Sequence, residues 1–107
     1  MRVVLAVLLS VSLSGCATSA AGLAGSDVKM TLASAKSAKD WAACSAESMI
    51  GPVDLRDDGT NYWIIRSNSF QIPTTRWDFK PSAAGSIAEL RATINVNSGD
   101  ERVRACA

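Results

Sequence analysis

The chain contains no histidine, and this absence limits its chemistry more than any other feature of its composition. Hydrolases with a serine or cysteine nucleophile usually take histidine as the general base. No Gly-x-Ser-x-Gly motif and no glycine-rich phosphate loop occurs in the 107 residues. The adjacent carboxylates Asp57 and Asp58 precede Gly59, which indicates a solvated turn rather than an acid–base pair. We therefore expect no enzymatic activity, no metal and no cofactor.

The chain also lacks an excess of charge of either sign and a long apolar run. It has 11 Lys and Arg against 10 Asp and Glu, and Arg2 is the only charged residue among the first fifteen. A balanced chain has neither the basic stripe of a nucleic-acid-binding protein nor an electrostatic attraction to anionic lipid. The uninterrupted apolar run, residues 3–9, is far shorter than the about 20 residues of a transmembrane helix. We expect no nucleic-acid partner and no membrane span.

The N-terminal residues have the three parts of a secretory signal peptide. Arg2 is followed by the apolar run and then by small residues. Leu13-Ser14-Gly15-Cys16 is an aliphatic residue, a small residue, a glycine and a cysteine, and it resembles the lipobox of bacterial lipoproteins. An ordinary secretory signal peptide that happens to be followed by a cysteine is the alternative.

The resemblance implies that residues 1–15 are removed and that Cys16 is acylated on sulfur, with palmitate or a similar chain, and then on its new amino group. Several acyl chains anchor a protein firmly, whereas a single chain gives only marginal membrane binding. The residue after the cysteine is Ala17 rather than aspartate. By resemblance to enterobacterial sorting, Ala17 favours the periplasmic face of the cell outer membrane over the inner membrane.

Cys44 and Cys106 remain as a pair once Cys16 is assigned to the lipid anchor. An even number of cysteines in an exported chain predicts a disulfide. This bridge would close a loop of about 62 residues and add about 4 kcal/mol of stability in the chain-entropy model. Free thiols or a metal site are the alternatives, and two cysteines without histidine do not make a zinc site.

Small residues without periodicity fill residues 16–26, which predicts a flexible tether. Residues 27–107 then form a single small domain. Within residues 27–33, Val28, Met30 and Leu32 alternate as in a short strand, or else lead into the next helix.

The patterning after the tether predicts an α+β fold. Ser37 opens a capping-box-like start, apolar residues then recur at helical spacing, and Gly51-Pro52 ends the helix over residues 37–50. Period-two alternation follows, with a hairpin turn at residues 57–60. Another capping box at residues 98–101 opens a short C-terminal helix that places Val103 and Cys106 on one face. We predict a helix, a four-stranded antiparallel meander and a short C-terminal helix, with both helices on one face of the sheet; the strands are residues 53–56, 61–67, 74–80 and 88–96.

An interaction surface is predicted on the other, outer face of this sheet. We expect Trp63 and Ile65 to face the helices, which would turn their neighbours in the strand outward. Asp78 and Glu89 would face each other there with arginine neighbours, as cross-strand ion pairs do. Aromatic residues mixed with arginine are typical of protein-contact hot spots, although an ordinary solvated face is the alternative. The apolar residues of the loop 70–73 either extend this surface or fold back over the edge of the core. With the loop included, the predicted surface is Tyr62, Ile64, Arg66, Phe70, Ile72, Arg76 and Arg91.

These features predict a non-enzymatic envelope lipoprotein, held at the membrane through lipidated Cys16 and contacting another envelope protein. The mature domain resembles the small lipoproteins of Gram-negative bacteria, a resemblance that assigns no activity. One alternative is a periplasmic inhibitor or immunity-type module that inserts the loop 70–73 into a cleft. Another is a carrier of a small ligand or lipid, which needs a cavity between helix and sheet. The large aromatic residues would fill that cavity: Trp41, Trp63, Trp77 and Phe79.

Overall fold

The computed structural model describes residues 20–93 and 99–107. In chain order the elements are α1 (Ala20–Ala24), β1 (Met30–Ser34), α2 (Ala38–Ser48), β2 (Val53–Asp57), β3 (Tyr62–Ser67), β4 (Pro73–Ser82), β5 (Gly85–Ala92) and α3 (Asp100–Cys106). The strands form one antiparallel sheet in the order β1-β5-β4-β3-β2. The α+β class is therefore confirmed, but the sheet has five strands rather than the predicted four.

The additional strand is β1, which pairs with β5 from Met30 opposite Leu90 to Ser34 opposite Ser86. Met30 and Leu32 pack against the core while Thr31 between them is exposed, so the alternation in this segment is that of a strand. Its partner lies more than 50 residues later in the chain. Local patterning therefore left this segment ambiguous, because it carries no information about such a distant partner.

Helix α2 follows the local signals in the sequence closely. The Oγ of Ser37 accepts a hydrogen bond from the backbone N–H of Asp40, at 3.1 Å, and caps the helix. The helix connects β1 at one edge of the sheet to β2 at the other edge, so it crosses over the strands between them. The predicted inward face is buried throughout, namely Ala38, Trp41, Ala42, Ser45 and Met49.

The core lies between the sheet and the two helices α2 and α3. Trp41 meets Phe79 edge-on, with ring centroids 5.3 Å apart, and its indole N–H donates to the carbonyl of Val103 at 2.7 Å. A disulfide joins Cys44 in α2 to Cys106 in α3, the pair expected from the sequence. The fully buried Trp77 and Phe79 of β4 face these helices, as predicted.

The predicted facing of β3 is wrong. Ile64 is fully buried opposite Trp77, Tyr62 lies opposite Phe79 and packs against the core, and Arg66 lies opposite Thr75. Residues directly opposite each other on paired strands point to the same face of the sheet. Because residues 62–65 are all apolar or aromatic, alternation within the strand did not define its inner face, and the pairing register did.

The hairpin turn between β2 and β3 forms as predicted. The carboxylate of Asp58 accepts hydrogen bonds from the backbone N–H groups of Asn61, at 2.8 Å, and Thr60, at 3.0 Å. These two donors stabilise the ionised carboxylate and lower the pKa of Asp58. At the β4–β5 turn Gly85 has a φ of 141°, and a Cβ there would overlap the carbonyl oxygen of Ser34. Glycine is therefore required where this turn meets the end of β1.

The C-terminal part differs from prediction in its boundaries. Strand β5 ends at Ala92, and the predicted continuation, residues 94–96, lies outside the described residues. Helix α3 begins at Asp100 with Gly99 as its N-cap in a left-handed conformation, φ 74°. Ser98, the predicted first residue of a capping box, also lies outside the described residues.

The predicted tether, residues 16–26, differs from the structure in its second half. Residues 20–24 form α1, and Leu23 of this helix is fully buried. The helix contacts β4 and β5, and the carbonyl of Ser26 accepts a hydrogen bond from Nε of Arg91 at 2.9 Å. This part of the chain is packed on the sheet. Residues 16–19 lie outside the described residues.

Candidate functional site

The outer face of the sheet, opposite α2 and α3, carries the residues that alternate with the core. The strand register places Trp63 beside Asp78 and Ile65 beside Arg76 on this face. Trp63 and Ile65 therefore occupy the positions that the sequence interpretation had assigned to Tyr62 and Ile64. In cross-strand order the outer residues are Arg56, Trp63, Asp78 and Glu89 in one row and Asp54, Ile65, Arg76 and Arg91 in the next.

An ion-pair network, which we call the Asp78 cluster, occupies the middle of the outer face. Asp78 is only 7% exposed, and its carboxylate pairs with Nη2 of Arg76 at 2.8 Å and with Nη1 of Arg91 at 3.0 Å. Glu89 pairs with Nζ of Lys80 at 2.7 Å and lies 3.8 Å from Arg91. The predicted cross-strand pairing with arginine is present for Asp78, through Arg91, whereas the cross-strand partner of Glu89 is Lys80. Ion pairing therefore accounts for both carboxylates structurally.

A groove of about 430 Å³ lies beside this cluster, and we call it the outer groove. The guanidinium of Arg76 lies over the Trp63 ring, 5.0 Å from the ring centroid, in a cation–π contact. Arg56 and Asp54 pair at 2.7 Å on the rim, with both side chains more than half exposed. The groove is lined by Ala24, Asp54, Arg56, Trp63, Ile65, Ser67, Pro73 and Arg76.

The seven residues of the predicted interaction surface lie in three different places. Arg76 and Arg91 are on the outer face, although Arg91 is engaged by Asp78 and by the Ser26 carbonyl. Arg66 lies on the helix side and donates to the carbonyl of Ile50 at 3.2 Å. Ile64 and Tyr62 belong to the core side, as described above. The remaining two, Phe70 and Ile72, lie in the β3–β4 loop and are 82% and 39% exposed.

The sequence interpretation did not assign Trp63 and Ile65 to the outer face, although the pattern of β2 predicts this position for them. In β2, Val53 and Leu55 alternate clearly with Asp54 and Arg56. The hairpin pairs Leu55 with Ile64 and Asp54 with Ile65. Continuing the clear alternation of β2 around the hairpin therefore assigns Ile64 to the inner face and Ile65 to the outer face.

The β3–β4 loop is held by the side chain of Asn68. Its Oδ1 accepts hydrogen bonds from the backbone N–H groups of Phe70, at 2.9 Å, and Ile72, at 3.0 Å. The Asn68 N–H donates to the Ile72 carbonyl, and the Gln71 N–H donates to the Asn68 carbonyl. Gln71 has a φ of 62°, which closes the turn. The loop therefore presents Phe70 to solvent from a well-defined backbone.

Within residues 20–93 and 99–107, no group of three or more His, Cys, Asp or Glu residues is placed to hold a metal ion. No helix in this part of the chain is both long enough and apolar enough to cross a membrane. Cys16 lies outside the described residues, so its lipidation stays a prediction.

Comparison with known proteins gives neither a family nor a relative. No protein-family model, no curated protein and no solved structure matches the chain. A function has to be inferred from the residues and their geometry.

Proposed function

We propose that the chain is a non-enzymatic, membrane-anchored envelope lipoprotein that acts as a protein-interaction module. Acyl chains on Cys16 hold it at the membrane, by preference at the periplasmic face of the outer membrane, and the outer groove contacts another envelope protein. The observation that carries this proposal is the outer groove, with Trp63 under Arg76 and Ile65 beside them. Aromatic residues and arginine are enriched in the residues that dominate protein binding energy.

The ion pairing around the groove favours binding over catalysis. Asp78 is neutralised by two arginines, and Asp54 is paired with Arg56. A general acid or base needs a side-chain atom that is free to meet the substrate, whereas these carboxylates are occupied by neighbouring guanidinium groups. The groove therefore offers a partner shape, an aromatic surface and charge.

The groove also indicates the kind of partner it would bind. Trp63, Ile65 and Pro73 supply apolar surface, while Asp54 and Arg56 supply opposite charges at the rim. A protein segment with an apolar side chain flanked by polar residues matches this arrangement. Because Arg56 is more than half exposed, it can exchange its partner Asp54 for a carboxylate of the incoming segment at small cost.

The space that a small-ligand carrier would need is filled. Trp41, Trp77 and Phe79 are fully buried between the helices and the sheet. An inhibitor or immunity-type module would instead depend on an exposed loop residue, for which Phe70 is the candidate. The same binding experiment can therefore compare the outer groove with the loop.

The anchor is tested first, by intact mass and metabolic labelling with a palmitate analogue. We expect the mature protein to begin at Cys16 with acyl chains attached, and Cys16→Ser to lose both label and cleavage. Labelled Cys16→Ser protein would contradict the proposal.

The groove is tested by photo-crosslinking in cells, with the crosslinking residue at Arg56 on the groove rim or at the exposed Lys39 on α2 as the matched control. We expect a defined adduct from position 56 that Trp63→Ala abolishes and Phe70→Ala leaves unchanged. An adduct lost in Phe70→Ala but not in Trp63→Ala would support the inhibitor-like loop instead. Equal adducts from positions 39 and 56 would refute the groove.

A further inference from the structure

Exposed apolar side chains are distributed unevenly over the domain. Five large hydrophobic residues are exposed in the described part of the chain. One of them, Leu55, is in the edge strand β2. The other four lie in connections between elements, namely Val28 (39% exposed), Ile50 (75%), Phe70 (82%) and Ile72 (39%).

The strand directions bring these four residues to one end of the sheet, which we call the apolar end. Strands β1, β2 and β4 start at this end and β3 and β5 finish there, because neighbours in the sheet are antiparallel. Val28 precedes β1, Ile50 precedes β2, and Phe70 and Ile72 connect β3 to β4. At the opposite end, the connections 35–37, 58–61 and 83–84 contain no large apolar residue.

Helix α1 ends near the apolar end. Its last residue, Ala24, lines the outer groove together with Ser67 and Pro73, which are the last residue of β3 and the first of β4. Cys16 precedes the first residue of α1, Ala20, by four positions. Four residues span at most about 14 Å when fully extended, and the four residue steps from Ala20 to Ala24 in α1 add about 6 Å. An acyl chain on Cys16 therefore holds Ala24, and with it the apolar end, within about 20 Å of the membrane surface.

We infer that the apolar end is a membrane-contacting surface, with Phe70, Ile72 and Ile50 inserted among the lipid headgroups beside the acylated cysteine. This inference rests on the proposed lipidation of Cys16. Membrane anchoring becomes stronger when a second membrane-binding element is added to the acyl chains. Exposed apolar side chains can be that element, and they do not require a net positive charge. The hydrogen-bonded loop around Asn68 holds Phe70 in position for this contact.

The consequence is a fixed orientation of the domain. With the apolar end on the bilayer, the strands stand up from the membrane and the turn 83–84 points away from it. The outer groove then opens sideways, close to the surface, so that a partner would be reached along the membrane rather than from the open compartment.

Contact with lipid can be measured with a tryptophan placed at each end of the sheet. We would purify the full acylated protein as Phe70→Trp and, as the matched control, as Ala83→Trp, because Ala83 is exposed in the turn at the opposite end. Both are reconstituted into phosphatidylcholine vesicles with brominated acyl chains, since bromine quenches tryptophan on contact. Relative to the unsubstituted protein, we expect the added emission to be lost for Phe70→Trp and retained for Ala83→Trp.

The outcomes separate this inference from the proposed function. Intact mass first shows whether Cys16 is acylated, and a protein without acyl chains would overturn the anchor and this surface together. An acylated protein in which Trp at position 70 is not quenched would overturn the membrane contact alone and leave Phe70 available to a protein cleft. Equal quenching at positions 70 and 83 would overturn the orientation. Ile72→Trp repeats the measurement if Phe70→Trp does not fold.

Discussion

Replacing Asp78 with asparagine tests whether the Asp78 cluster stabilises the sheet. The change keeps the size of the side chain but leaves Arg76 and Arg91, which lie directly opposite each other on β4 and β5, without their shared carboxylate. Removing one partner of a fully buried ion pair typically costs about 3–5 kcal/mol. The two arginine side chains here are 16% and 17% exposed, so water lowers the penalty. We expect a loss of about 2–3 kcal/mol, since partial exposure screens the remaining charges.

The matched control is Asp54→Asn. Asp54 also pairs with an arginine two residues away on the outer face, but its side chain is 53% exposed and that of Arg56 is 64% exposed. Exposed ion pairs contribute about 0–1 kcal/mol, so the free energy of unfolding of this variant should remain close to that of the unsubstituted protein. The two substitutions are chemically identical. The two carboxylates differ only in how deeply they are buried and in how many arginines they pair with.

Urea denaturation followed by tryptophan fluorescence would give both free energies of unfolding. In a thermal melt, Asp78→Asn should lower Tm by about 10–20 °C, because 1 kcal/mol corresponds to about 4–8 °C in a domain of this size. The reasoning would be refuted if Asp78→Asn and Asp54→Asn differed by less than about 0.5 kcal/mol, the usual range for a surface substitution.

Three other predictions concern the disulfide, a buried hydroxyl and the hairpin turn. Cys44→Ala and Cys106→Ala should each lower the free energy of unfolding by about 4 kcal/mol, since each removes the same bridge; clearly unequal losses would contradict this. Ser45 is fully buried and its hydroxyl has no hydrogen-bond partner among the described residues, so Ser45→Ala should raise stability by about 1 kcal/mol in urea denaturation. The pKa of Asp58 is lower in the folded protein than its ordinary value of 3.8, so its contribution to stability is present above that pH and is lost as pH falls through the folded pKa. The Tm difference between the unsubstituted protein and Asp58→Asn should therefore shrink in acid, and an NMR titration of Asp58 at or above 3.8 would refute the turn geometry.

Several features were predictable from the sequence because their causes are local. The cap at Ser37, the helical spacing of Trp41 and its neighbours and the Gly51-Pro52 stop define α2 within a few residues. The same holds for the hairpin turn at Asp58 and for the clear alternation in β4 that places Trp77 and Phe79 inside. In each case the deciding contacts lie within one helical turn or one strand of the residue itself.

The facing of β3 was predictable only with information from a neighbouring strand. Four consecutive apolar or aromatic residues, 62–65, make either face a plausible core face when β3 is taken alone. Leu55 and Ile64 are paired across the hairpin, so the polar alternation of β2 resolves the choice. The facing of β3 also decides the composition of the candidate site. Trp63 is the aromatic residue of the outer groove, whereas Tyr62 lies on the core side.

The sequence by itself determined the helix α2, the hairpin, the inner face of β4 and the cysteine pair, whereas only the tertiary structure decided how distant segments meet. Nothing local in residues 30–34 specifies pairing with residues 86–90, and nothing in residues 20–24 specifies that Leu23 is buried on the sheet. The same is true of the apolar end, where Val28, Ile50 and Phe70 lie at the same end of the sheet although they belong to separate connections. Local patterns set which side chains can be buried and which backbone groups pair nearby. The partner of an edge strand or of a short helix is instead set by the surface that the rest of the fold leaves uncovered.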